Sequence, residues 1–67
     1  MPVRKGIGQN IKKERDKRKM SQEELAELAG ASQEYISRIE SGVRNPSMNL
    51  LYRIADALKC PVKRLMQ

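Results

Sequence analysis

The sequence predicts an all-α fold, a compact bundle of five short helices. Three observations carry that expectation. Apolar residues recur at helical spacing, most clearly in Leu51, Ile54, Ala55 and Leu58. Serines stand at the starts of the periodic segments, and Gly30, Gly42 and Pro46 interrupt them. β-branched and aromatic residues are too sparse for a sheet, with only two tyrosines and no Phe or Trp.

The first helix is expected from about Ile7 to Lys19, where Ile7, Ile11 and Arg15 fall on one face at i, i+4 and i+8. The second starts at Ser21. SQEE has the form of a capping box, with Ser21 and Glu24 each serving the other's backbone amide, and Met20 can pack on Leu25 as a staple. Leu25, Ala26, Leu28 and Ala29 are its expected apolar side, and Gly30 its end. After the turn Gly30-Ala31-Ser32, Ser32 caps a third helix with Ile36 and Ile39 inward and Gly42 as its stop. Two short helices joined by a tight glycine-containing turn form a helix-turn-helix at about residues 21–41.

Val43-Arg44-Asn45-Pro46 reads as a loop. Ser47 then caps a fourth helix, whose expected stripe is Met48, Leu51, Ile54, Ala55 and Leu58, widened by Leu50. Pro61 opens a fifth, from about Val62 to Met66, with Val62, Leu65 and Met66 available to cover the core.

The 67 residues are enough for one domain, expected over residues 7–67 behind a basic arm at residues 1–6. A core this small depends on efficient packing, a partner or a staple. The single cysteine, Cys60, cannot form an internal disulfide, and without histidine it cannot build a zinc site. Cys60 therefore reads as an apolar filler, in a reduced, cytoplasmic setting. No apolar run nears the roughly 18 residues of a membrane span, and no hydrophobic signal segment follows the basic N-terminus.

The net charge is +6, from 14 Lys and Arg against 8 Asp and Glu. Residues 1–19 hold eight basic and two acidic residues, net +6. Residues 20–42 hold one basic and five acidic, net −4, and residues 43–67 hold five basic and one acidic, net +4. Basic ends of this kind suit a polyanion, though a solubilising surface has the same composition. With no histidine, no nucleophile–base pair and no phosphate-cradling glycine loop, an enzyme is not expected. Nor is a membrane-surface helix, because residues 4–19 offer only Ile7 and Ile11 as an apolar face.

The segment SQEELAELAGASQEYISRIESGVRNPSMNLLYRIADAL resembles the helix-turn-helix domain of the Cro/phage-repressor type, also called the xenobiotic-response-element family. The marks are Ser21-Gln22, Leu25-Ala26, Gly30, Ile36-Ser37-Arg38-Ile39-Glu40 with Gly42, Pro46, and the stripe from Leu51 to Leu58. The similarity covers roughly residues 7–66, with departures at Lys59, where the family often has glycine, and at Cys60-Pro61.

The resemblance implies a lambda-repressor-like fold whose third helix lies in the DNA major groove. It implies base-reading positions at Ser32, Gln33, Glu34, Ser37 and Arg38. It implies phosphate-backbone contacts at Gln22 and at the loop residues Ser41, Val43 and Arg44, partly through main-chain amides. It also implies a partly buried ion pair between Arg15 and Glu40.

Each residue has a plainer reading beside the functional one. Gln33 either contacts adenine or a phosphate, or is a solvated residue near a helix start. Arg38 either reads guanine or a phosphate, or pairs with Glu34 at i, i+4. Glu34 either accepts from cytosine or acts by repelling wrong sequences. Tyr35 reads as core-edge packing with a wet hydroxyl.

The function implied is sequence-specific binding of double-stranded DNA by a small transcriptional regulator, a repressor acting as a homodimer on a near-palindromic operator. Its dimer surface is expected at the end of the fourth helix and in the fifth, at Leu65 and Met66. No cofactor, metal, small-molecule ligand or membrane is expected. The alternative is a protein-interaction module on the same fold, with incidental DNA binding.

Overall fold

A computed structural model describes residues 3–67, with side chains from Gly6 onward. It contains five helices: α1 (Val3–Lys17), α2 (Gln22–Ala29), α3 (Gln33–Glu40), α4 (Met48–Leu58) and α5 (Val62–Leu65). No strand occurs among the described residues. α2 and α3 form the helix-turn-helix, α4 packs mainly against α2, and α1 bridges α3 and α5.

Ile11, Leu25, Ile36, Ile39, Leu51, Ile54, Leu58 and Leu65 are fully buried and meet in one core. Each comes from the apolar stripe of its helix, so burial rather than propensity holds these short helices.

The caps are local and follow from sequence. Ser21, Ser32 and Ser47 each accept a bond from the amide three residues on. At Ser21 both halves of the capping box form: Glu24 N donates to Ser21 Oγ (3.0 Å), and Ser21 N donates to Glu24 Oε1 (2.9 Å). Tyr35 packs at the core edge.

Four helices end alike. Behind each, a residue with a left-handed backbone is followed by an amide that reaches back five residues. These bonds are Met20 N to Arg15 O, Ala31 N to Ala26 O, Val43 N to Arg38 O and Cys60 N to Ala55 O. Gly30 and Gly42 fill the left-handed position behind α2 and α3, with φ of 73° and 86°. Lys19 and Lys59 fill it behind α1 and α4, with φ of 52° and 56°. An L side chain there costs about 1–2 kcal/mol, partly offset by glycine's greater entropy loss of roughly 0.5–1 kcal/mol. Replacing Lys59 or Lys19 by glycine is therefore expected to raise stability by about 0.5–1 kcal/mol each, read as a higher melting temperature in thermal denaturation.

The structure corrects several expectations. α1 is helical from Val3 rather than Ile7, and it stops at Lys17. Of the basic arm expected at residues 1–6, residues 1–2 and the side chains of Arg4 and Lys5 lie outside the described residues. Leu28 is 62% exposed, not core. At about 100° per residue, Leu25, Ala29 and Ala26 span one arc, and Leu28 falls some 60° beyond its edge. Met48 is 51% exposed, because it is the first residue of α4 and its side chain points off the helix end. α5 ends at Leu65, leaving Met66 half exposed. Leu65 itself is fully buried, so it cannot contribute to a dimer surface.

α5 has only four residues and is held from α1 by two polar side chains one turn apart. Asn10 Nδ2 donates to the carbonyls of Leu65 (3.0 Å) and Gln67 (2.8 Å), satisfying the end of the chain. Glu14, buried, accepts from Arg18 Nη1 (2.8 Å) and Lys17 Nζ (3.4 Å), and lies 3.8 Å from Arg64 Nη1 on α5. The Arg18 hydrogen bond holds the Glu14 carboxyl below the usual glutamate range against the opposing effect of burial. Burial pushes the Cys60 thiol up, as befits an apolar filler rather than a nucleophile.

Candidate nucleic-acid interface

α3 presents two faces. At about 100° per residue, Gln33, Ser37, Ser41, Glu34 and Arg38 fall within an arc of roughly 140°. All five are exposed. Ile36 and Ile39 are buried on the other side, and Glu40, also buried, lies at the edge of the polar arc about 20° from Gln33. The apolar pair fixes which way the polar arc points, so its direction is set by the core.

Of the residues expected to read bases, Ser32, Gln33, Glu34, Ser37 and Arg38, every one is exposed at or along α3. Ser32 Oγ accepts from Tyr35 N at 3.1 Å, which leaves its hydroxyl hydrogen available as a donor. Arg38 Nη2 donates to Glu34 Oε2 at 2.8 Å, and both side chains are more than half exposed. An exposed i, i+4 pair of this kind contributes only about 0.3–0.5 kcal/mol, so it orients Arg38 without locking it.

The residues expected at the phosphate backbone divide differently. Ser41, Val43 and Arg44 are exposed in the α3–α4 loop. Their main-chain amides, however, already donate to α3: Ser41 N to Ser37 O (3.0 Å), and Val43 N and Arg44 N to Arg38 O (2.9 and 3.2 Å). The expected main-chain contacts are thus taken up in ending the helix. What the loop offers is the Arg44 guanidinium and the Ser41 hydroxyl, which itself donates to Arg38 O at 3.1 Å.

Arg15 and Glu40 meet as a two-bond ion pair. Arg15 Nε donates to Glu40 Oε2 at 2.8 Å and Nη2 to Oε1 at 3.0 Å, with both side chains buried. Arg15 Nη1 also donates to Met20 O at 2.8 Å. Gln22 Nε2 donates to Glu40 Oε1 at 3.0 Å. One buried carboxylate therefore ties α1, α2 and α3 together. The hydrogen bond that Arg15 donates to Glu40 is the main influence raising the Arg15 pKa, so the guanidinium stays charged despite burial.

One determinant of this arrangement is Gly8. A Cβ there would overlap the Ile39 carbonyl oxygen and lie 2.9 Å from that of Glu40. The α1–α3 crossing thus needs a residue without a side chain, directly beside the ion pair. A glycine within a helical pattern was the available sign.

Among the described residues, no group of three or more His, Cys, Asp and Glu could hold a metal ion. No helix among them is long and apolar enough to cross a membrane.

Residues 11–65 match the sequence model of a helix-turn-helix family. The chain belongs to that family, in its Cro/phage-repressor form. It is 41% identical over 58 residues to an uncharacterised HTH-type transcriptional regulator of Sinorhizobium fredii, covering 87% of this chain and 75% of that protein. It is 40% identical over 60 residues to the immunity repressor of Bacillus phage phi105, covering 90% of this chain but 42% of that longer protein. Among solved structures, it matches the restriction-modification controller C.AhdI of Aeromonas hydrophila with a TM-score of 0.89 and 33% identity, covering 91% of this chain and 92% of that one. It matches SinR, a master regulator for biofilm formation solved in complex with DNA, with a TM-score of 0.86 and 39% identity, covering 91% and 98%.

Proposed function

We propose that this chain is a sequence-specific double-stranded DNA-binding transcriptional regulator, a repressor acting in the cytoplasm as a homodimer on a near-palindromic operator. The observation that carries the reading is the polar arc of α3, four exposed side chains on a short helix with Ser41 at its cap, opposite a buried apolar face. A helix of this kind fits the major groove, where side chains near its N-terminus reach base edges. The similarity to SinR solved with DNA supports the reading, and the phage immunity repressor supports repression. The basic residues at both ends of the chain add attraction to the phosphate backbone.

One such head reads only a few base pairs, so two copies on half-sites about one helical turn apart, roughly 10 bp, give usable specificity. We assign the second copy to the α4–α5 end of the domain, where Tyr52 on α4 and Met66 just after α5 are each about half exposed.

The division of labour is tested by equilibrium binding to an enriched motif and to scrambled DNA. Gln33→Ala and Arg38→Ala are each expected to relax sequence preference, at about 1–3 kcal/mol per lost bidentate contact. Arg44→Ala is expected to weaken motif and scrambled DNA alike, lowering the salt slope by about 0.9. Unchanged preference in both α3 variants would refute α3 as the reader.

A further inference from the structure

α4 carries one face with no neighbour. At about 100° per residue, Leu50, Leu51, Ile54, Ala55 and Leu58 fall within one buried arc of roughly 140°. Asn49, Tyr52, Arg53 and Asp56 fall within an arc of about 100° centred opposite it, and all four are exposed. Beside them a groove of about 460 Å³, lined by Tyr52, Arg53 and Asp56, reaches Cys60 and Val62 at the entry to α5. This is the end of the domain to which the second copy is assigned above.

Two opposite charges stand on this face. Arg53 and Asp56 are three residues apart, yet neither enters an ion pair among the described residues. The Arg53 guanidinium leans instead toward the turn between α2 and α3, where a Cβ on Gly30 would lie 3.3 Å from its Nη1. On α3, by contrast, Glu34 and Arg38 close on each other. The order of the charges accounts for the difference, since an acid before a base on a helix pairs better than the reverse. Arg53 and Asp56 are therefore both available to a partner.

A two-fold axis makes contacts reciprocal: if residue i of one copy meets residue j of the other, j also meets i. Two α4 helices set antiparallel across such an axis, with Arg53 level with Asp56 of the second copy, form the same pair twice. Tyr52 lies one residue outside each pair and covers it from water. Sliding the helices by three residues either way sets Arg53 against Arg53 or Asp56 against Asp56. The two charges thus favour one register and oppose its neighbours.

We infer that Arg53 and Asp56 select the second copy, each pairing with its counterpart across a two-fold axis, so that the chain recognises itself in one register. The inference rests on the reading that seats a second copy at this end, and it adds the residues that choose that copy. A chain with like charges at both positions is rejected, because both pairs become repulsions.

The test is sedimentation equilibrium over a concentration series, on the parent chain, on Arg53→Glu, on Asp56→Arg, and on the two variants mixed in equal amounts. Each variant alone carries like charges at both positions and is expected to have a dimer Kd at least about tenfold weaker than the parent's. The mixture is expected to recover parent-like association, because both pairs across the axis are again of opposite sign. The helix signal of each variant in circular dichroism is expected to match the parent's, since both side chains are exposed. Variants that associate as the parent does, or a mixture that does no better than either variant alone, would overturn the charge code and leave the homodimer reading standing. A parent chain that stayed monomeric at every concentration, alone and on duplex DNA, would give this face to a different protein partner and overturn both.

Discussion

Replacing Gly8 by alanine is expected to destabilise the domain by about 3 kcal/mol, the upper end of the usual overpacking cost. Intrinsic propensity argues the opposite, since alanine inside a helix is favoured over glycine by about 1 kcal/mol. Packing decides the sign here. The new methyl group would overlap the Ile39 carbonyl oxygen and press on that of Glu40. Those atoms are backbone in a buried helix end and cannot swing aside as a side chain could. α1 must therefore lift from α3, which also stretches the Arg15–Glu40 bonds. For a domain of this size, about 3 kcal/mol corresponds to a fall in melting temperature of roughly 12–24 °C. Gly6 is the internal control. A Cβ there would meet only the Gln67 carbonyl oxygen, at 3.9 Å, an ordinary contact. Gly6→Ala should follow propensity and leave the melting temperature equal or higher. If both variants melted alike, close approach at Gly8 would not be what fixes the crossing.

The second large effect is at Glu40. Glu40→Ala leaves the buried Arg15 guanidinium without its carboxylate, a change that costs about 3–5 kcal/mol when one partner of a buried pair is removed. A domain of this length has a total stability of roughly 3–10 kcal/mol, so the variant is expected to be partly or wholly unfolded near 37 °C. Glu23→Ala, which removes an equal charge from the exposed start of α2, is expected to change stability by less than about 0.5 kcal/mol. The contrast separates a buried tie from general charge balance. Replacing both partners, as in Arg15→Met with Glu40→Leu, should recover much of the loss, because no buried charge is then left unmatched. Equal melting temperatures for Glu40→Ala and Glu23→Ala would contradict the role given to the pair.

These two positions also mark what the sequence reveals and what it hides. The starts of α2, α3 and α4 were legible because a cap is a local event: Ser21, Ser32 and Ser47 each bond an amide three residues away. The two faces of α3 were legible for the same reason, since Ile36 and Ile39 fix its orientation. Leu28 and Met48 are apolar and close to a stripe but not on it, since Leu28 lies beyond the buried arc of α2 and Met48 at the first turn of α4. Lys59 was visible as a departure from a common glycine, and its left-handed backbone gives that departure a physical cost. Gly8, Asn10 and Glu14 were hidden because their roles depend on partners far along the chain. Asn10 bonds the carbonyl of Leu65, 55 residues away, and no periodicity within α1 announces that.

The central claim is that the polar arc of α3 reads double-stranded DNA sequence. Selection of random duplexes by the purified chain, at a stated salt concentration, tests it most directly. One enriched, near-symmetric motif is predicted, with half-sites about one helical turn, roughly 10 bp, between centres. A pool that stayed unenriched, or was retained only through salt-sensitive binding indifferent to sequence, would contradict it.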